Sequence, residues 1–150
     1  MVSFFRRVYL YETAGMPAAH HAAYSRWFEE ARVEYMRVGG IAPDEWTHLG
    51  IVFPITEIQC EYRHPARYDD ELEIHVRLKE VSRIRLHFYY ETVRRADGLV
   101  LALGSTAGPC AKASDGKIIR MPKEQLGKLI RFSEEDRGNT GPSDTFSRRG

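Results

Sequence analysis

The stretch AYSRWFEEARVEYMRVGG, residues 23–40, decides the architecture. Tyr24, Trp27, Phe28, Ala31, Tyr35 and Val38 recur at steps of three and four, which draws one apolar stripe along a helix. Gly39-Gly40 stops it. Upstream, Ser3 to Tyr11 is rich in aromatic and β-branched residues and reads as a strand. Downstream comes a loop containing Pro43 and Trp46. Strand-like runs then follow at Ile51 to Arg63, Glu71 to Val81, Arg83 to Arg94 and Leu99 to Lys112, with Asp97-Gly98 and Asp115-Gly116 as hairpin turns. Leu72, Ile74, Val76 and Leu78 alternate with Glu71, Glu73, His75 and Arg77, so one face of that strand is buried and the other wet. One long helix ahead of an antiparallel sheet of about five strands predicts an α+β fold. The sheet must wrap the helix, because nothing else is available to cover the stripe. The last residues, SEEDRGNTGPSDTFSRRG at 133–150, lack an apolar period and are expected to form a flexible C-terminal tail after a single domain at 1–132.

Composition narrows the partners. A chain of 150 residues with a net charge of +1 offers no broad basic field for nucleic acid or an anionic membrane. A small molecule or another protein is the expected partner. Cys60 and Cys110 have no metal-ligand spacing, and no span of about 18 apolar residues is present. The expectation is a reduced, cytoplasmic protein with no metal and no cofactor.

The order of strand, turn and helix with AYSRWFEEAR, then HPARYDDELEIHVRLKEV and a closing pair of long strands, resembles the hotdog fold of the 4-hydroxybenzoyl-CoA thioesterase-like family. The likeness runs from about Phe4 to Lys123. It implies hydrolysis of acyl thioesters on CoA or a carrier protein, by homodimers or homotetramers whose active sites lie between subunits. The family's turn follows a pattern like D-x-D-x-x-G-x-x-Y/F-H-x-x-Y. His21 and Tyr24 match its histidine and tyrosine, whereas Ala14 stands where the family carries its catalytic aspartate. A methyl group can be neither nucleophile nor base on a thioester carbonyl. The enediyne polyketide thioesterases also lack the acid. They resemble this chain in a tyrosine and an arginine matching Tyr24 and Arg32, but they carry asparagine where Ala14 stands.

The candidate site residues follow from these matches and from chemistry. The helix start presents backbone N–H groups and the positive end of the dipole, which can polarise a carbonyl whatever side chains surround it. The resemblance puts the donor at His21, whose imidazole can also orient a water or act as base. His20 and Ala14 are expected beside the substrate, with capping and packing of the helix start as the other reading of the His20-His21 pair. Glu12 can swing into the vacated space if it leaves the solvent side of its strand. Glu29 and Glu30 fall opposite the stripe. Arg32, on the helix flank, either anchors a carboxylate or acyl oxygen or pairs with nearby glutamates. Tyr24 is a core aromatic unless its hydroxyl reaches the cleft. Arg83 and Arg85 lie where the family's phosphate-contacting basic residues lie. Pro65, Tyr68 and Asp70 read as a structural corner. Two functions stand: a thioesterase using the helix-end amide and a directly attacking water, or a non-hydrolytic acyl-thioester-binding or assembly protein of the same fold.

Overall fold

The apolar stripe becomes α1, Ala23–Val38, in a computed structural model that describes residues 1–138. Trp27, Phe28, Ala31 and Tyr35 are fully buried, each large side chain contributing about 1.5–3 kcal/mol through lost water contact. The stripe turns slightly from its sequence reading near the end: Met36 is buried and Val38 is 54% exposed.

The cover is a five-stranded antiparallel sheet in the order β1-β4-β5-β6-β3, with β1 Val2–Arg7, β3 Glu57–Tyr62, β4 Glu71–Val81, β5 Arg85–Arg94 and β6 Val100–Pro109. The remaining strands, β2 Ile51–Val52 and β7 Ala111–Lys112, make a separate short pair. Leu72, Ile74 and Val76 point from β4 into the core, as their alternation predicts. On β6, Gly104 lets Phe28 lie flat against the sheet, since a Cβ there would come within 2.5 Å of the ring. β3 forms one edge of the sheet. Its Ile58 and Tyr62 are 51% and 50% exposed.

Several boundaries move, each for a local reason. The first strand stops at Arg7, and a 3-10 turn, Leu10–Thr13, replaces its second half because Glu12 is drawn inward. The run from Ile51 to Arg63 breaks around Pro54, and that from Leu99 to Lys112 breaks after Pro109. The loop with Pro43 and Trp46 contains α2, Pro43–His48, with proline at its start.

The third helix, α3, spans Lys123–Gly138. Residues 133–138, expected to open the tail, continue this helix. Ser133 is buried, Arg137 donates to the Lys79 carbonyl at 3.1 Å, and Phe132 packs 4.9 Å from Tyr35. The charged run SEEDRG has no apolar period of its own because it only finishes a helix whose apolar contacts were made upstream. Residues 139–150 lie outside the described residues. No helix among the described residues is long and apolar enough to cross a membrane.

Candidate active site

The approach to α1 is fixed by Glu12. Its carboxylate accepts hydrogen bonds from Arg6 Nη2 at 2.7 Å, the Tyr9 amide at 2.9 Å and Trp27 Nε1 at 2.7 Å. It is buried, and both oxygens are taken, so the expected swing toward the substrate gives way to a structural role. This carboxylate ties β1, the 3-10 turn and α1 together. The turn ends at Ala14 with φ 49°, followed by Gly15 with φ 76°. A left-handed backbone costs an alanine about 1–2 kcal/mol, whereas Asp, Asn and Gly adopt it readily. Ala14 is exposed and sits in a conformation suited to an aspartate or asparagine.

From there the chain is clamped into the helix start. Ala19 donates to the Ala66 carbonyl and His20 to the Glu12 carbonyl, both at 2.7 Å. His20 acts as the cap: its Nδ1 accepts from the Ala22 amide at 3.1 Å and its carbonyl accepts from Ala23 at 3.0 Å. The Tyr24 amide finds the His21 carbonyl at 3.4 Å, which also accepts from Tyr62 Oη at 3.0 Å. Among the described residues, the His21 amide is left with no acceptor. The two imidazoles lie 4.1 Å apart.

That amide sits beside a groove between the N-terminal half of α1 and the β3 edge. Two adjoining depressions share His21, Tyr24 and Tyr62. One, of about 290 Å³, extends to Ala18, Ala19, Arg63, His64 and Pro65. The other, of about 260 Å³, extends over Ser25 and Phe28 to Ile58 and Cys60. Phe28 is backed by the ring of Tyr90, stacked at 4.3 Å. Tyr24 meets Tyr62 edge-on at 4.9 Å and Trp27 at 4.4 Å, so it is at once a core aromatic and a groove wall. Burial raises the Tyr24, Tyr62 and Cys60 pKa values, so all three groups keep their protons at neutral pH. They can donate hydrogen bonds but are not bases. Among the described residues, no Asp or Glu side chain lines either depression.

The arginines lie elsewhere. Arg32 Nη1 donates to Tyr90 Oη at 3.1 Å and Thr106 Oγ1 at 3.4 Å, and those two hydroxyls are 2.6 Å apart. Burial pushes the Tyr90 pKa up to about 12, so its hydroxyl stays a neutral partner. Arg32 thus fastens α1 to β5 and β6 one turn beyond Phe28. The expected pairing with a helical glutamate is not made, since Glu30 pairs with Arg6 at 2.8 Å. Arg83 is exposed in the β4–β5 turn, and Arg85 pairs with Glu57 at 3.0 Å. Glu57 and Tyr62 are opposite ends of β3, about 17 Å apart at 3.4 Å per residue. Within one chain, then, neither Arg83 nor Arg85 lines either depression: Arg85 is held beside the Ile58 end of the groove, far from His21. At the corner, Asp70 accepts from the Arg67 amide at 2.9 Å and Arg94 Nε at 3.1 Å, while Pro65 lines one of the depressions.

Sequence reasoning did not single out Tyr62, Arg63 or His64. All three sit in the run before Pro65, where a residue ahead of proline is held extended and one side chain of each adjacent pair must face α1. That signal was available but was read only as a bend.

Residues 14–129 match the model of the thioesterase-like superfamily. A curated relative, the acyl-CoA thioesterase YbgC of Haemophilus influenzae, is 27% identical over 123 residues, covering 81% of this chain and 89% of that protein. A crystal structure of a protein from Aquifex aeolicus superposes with a TM-score of 0.79 at 35% identity, over 86% of this chain and 99% of that one. The DHNA-CoA thioesterase of Staphylococcus aureus superposes with a TM-score of 0.82 over 93% of this chain and 95% of that one; at 24% identity it shows the shared fold alone.

Proposed function

The chain belongs to the thioesterase-like superfamily, and on that premise we propose that it hydrolyses an acyl-CoA or acyl-carrier-protein thioester in the groove between α1 and β3. The unpaired His21 amide carries this reading. A helix-start N–H with no internal acceptor, opening on a groove walled by aromatic side chains, is a donor placed for a carbonyl oxygen that gains negative charge. Water attacks the thioester carbon, the oxygen gathers charge at His21, and the C–S bond breaks to give a carboxylic acid and a thiol. Tyr62 holds the His21 carbonyl and so fixes the direction of the neighbouring peptide. YbgC of Haemophilus influenzae acts on acyl-CoA by its name, which agrees with a CoA-linked substrate here.

Ala14 is the family aspartate's position in this reading, and its left-handed backbone supports that placement. Assembly completes the nucleotide end. β3 is an unpaired edge, and antiparallel pairing of two β3 strands about a twofold between Gln59 and Cys60 sets the Glu57 end of one against Tyr62 of the other. Arg85, paired with Glu57, and neighbouring Arg83 then approach the second subunit's groove, as a CoA phosphate contact requires.

A second reading, a non-hydrolytic acyl-thioester-binding or assembly protein, is favoured by one observation: no carboxylate lines the groove. Thiol release from a panel of aromatic, short and long acyl-CoAs and pantetheine esters separates the two. Hydrolysis predicts turnover of at least one class. Binding without any thiol release selects the second reading.

A further inference from the structure

A water attacking a carbonyl in this groove needs an acceptor for its proton, and the walls offer few. Glu12, the acid in the preceding turn, is saturated by three donors. The phenols of Tyr24 and Tyr62 and the Cys60 thiol stay protonated, and Arg63 is a cation paired with Glu61 at 3.2 Å. Two imidazoles remain, those of His21 and His64.

They are not equivalent. The His21 ring lies against His20, and its own amide is the donor to the carbonyl oxygen. His64 stands on the opposite, sheet-side wall. The Arg63 and His64 amides both donate to the Leu101 carbonyl, at 2.8 and 3.1 Å, and Pro65 holds residue 64 extended. The backbone is therefore rigid, while the imidazole is exposed and makes no hydrogen bond among the described residues. A nucleophile approaches a carbonyl carbon at an obtuse angle to the C=O bond, from the side away from the oxygen's donor. With the oxygen held at His21, that side faces the sheet wall.

We propose that His64 is the general base of the reaction, filling the role left open at Ala14. The proposal rests on the hydrolase reading above. One imidazole nitrogen takes a proton from the water as its oxygen bonds to the thioester carbon. The negative charge gathers on the carbonyl oxygen at the His21 amide. As the C–S bond breaks, the departing thiolate takes the proton back from the imidazolium, so thioester and water give acid and thiol with neutral His64 restored. The charged and titratable groups around His64 are Glu61 and Tyr62 on β3, Arg63 just after it, His21 in the turn ahead of α1, Tyr24 on α1, and Arg94, which donates to the Pro65 carbonyl at 3.0 Å and is itself held by Asp70 and Asp97.

The test measures kcat/KM against pH for an acyl-CoA thioester that the wild-type chain hydrolyses. It uses His64→Gln, His64→Ala with and without added imidazole, and Ala14→Asp built on His64→Gln. An imidazole base works only when unprotonated, so the wild-type rate falls toward acid pH. His64→Gln is expected to lower kcat about 10²-fold with little change in KM and to abolish that fall. Added imidazole is expected to restore part of the His64→Ala rate, and Ala14→Asp part of the His64→Gln rate. A wild-type rate and pH profile in His64→Gln overturns the proposal while leaving hydrolysis standing. A slow His64→Ala that imidazole does not restore, together with a slow His64→Gln that Ala14→Asp does not improve, shows a structural role and overturns it too. If the wild-type chain releases thiol from no thioester, the hydrolase reading falls first and this proposal falls with it.

Discussion

The two walls of the groove divide their labour in opposite ways. On the helix side the acid and one histidine ahead of the helix are committed to the fold, Glu12 to three donors and the His20 ring to the Ala22 amide, while His21 brings an open backbone N–H and an exposed imidazole to the groove. On the sheet wall the backbone is committed, with Arg63 and His64 both bonded to Leu101, and the side chains of Tyr62 and His64 face the groove. A pattern search for catalytic side chains finds candidates on the helix wall because motifs sit there. In the proposed reaction the helix wall contributes a main-chain donor, and the proton acceptor lies across from it.

The largest way to break this contrast is Glu12→Ala. It removes one of the two carboxylates that hold Arg6, whose side chain is only 6% exposed, and leaves the Trp27 and Tyr9 donors unmet. A loss of about 2–5 kcal/mol in urea denaturation is expected from the unmet buried donors. A variant that keeps wild-type stability and loses only activity would make Glu12 catalytic after all.

Ala14→Asp comes next. Beside a working His64 base it should raise hydrolysis by less than the roughly 10²-fold that a first general base supplies. Ala14→Gly serves as its partner, gaining about 1 kcal/mol of stability from relief of the left-handed strain without any gain in rate. Equal rate gains from both would show that backbone ease, and not the carboxylate, was responsible.

Tyr62→Phe is the finest probe of how the walls meet. It removes the 3.0 Å bond to the His21 carbonyl and keeps the ring against Tyr24, so about 1 kcal/mol, or roughly fivefold in kcat, is expected. An unchanged kcat would detach the sheet wall from the orientation of the His21 peptide.

The fold was legible where periodicity was strong. The stripe from Tyr24 to Tyr35 and the alternation from Leu72 to Leu78 both describe surfaces that must be covered, and both are buried as read. Asp97-Gly98 and Asp115-Gly116 were legible because Gly98 and Gly116 take positive φ, 70° and 75°, in the turns they close. What escaped were elements whose reason lies elsewhere in the chain. Glu12 leaves its strand because Trp27 Nε1, fifteen residues on, needs an acceptor. Arg32 ignores the glutamates beside it on the helix and bonds to Tyr90 and Thr106, which are far away in sequence. His64 looked like part of a bend because its groove is made by α1 folding over it. The resemblance pointed to His21 and Tyr24, and both line the groove; it took in His64 and Pro65 on the opposite wall only within a stretch read as a structural corner.

In the proposed reaction the helix wall acts through its main chain. The most direct measurement compares thiol release from an acyl-CoA by the wild-type chain and by a semisynthetic chain in which the backbone amide at His21 is replaced by an ester, so that the side chain stays and only the N–H is lost. The account predicts a fall of about 10²–10³ in kcat with KM nearly unchanged. Equal kcat values for the two chains would contradict it.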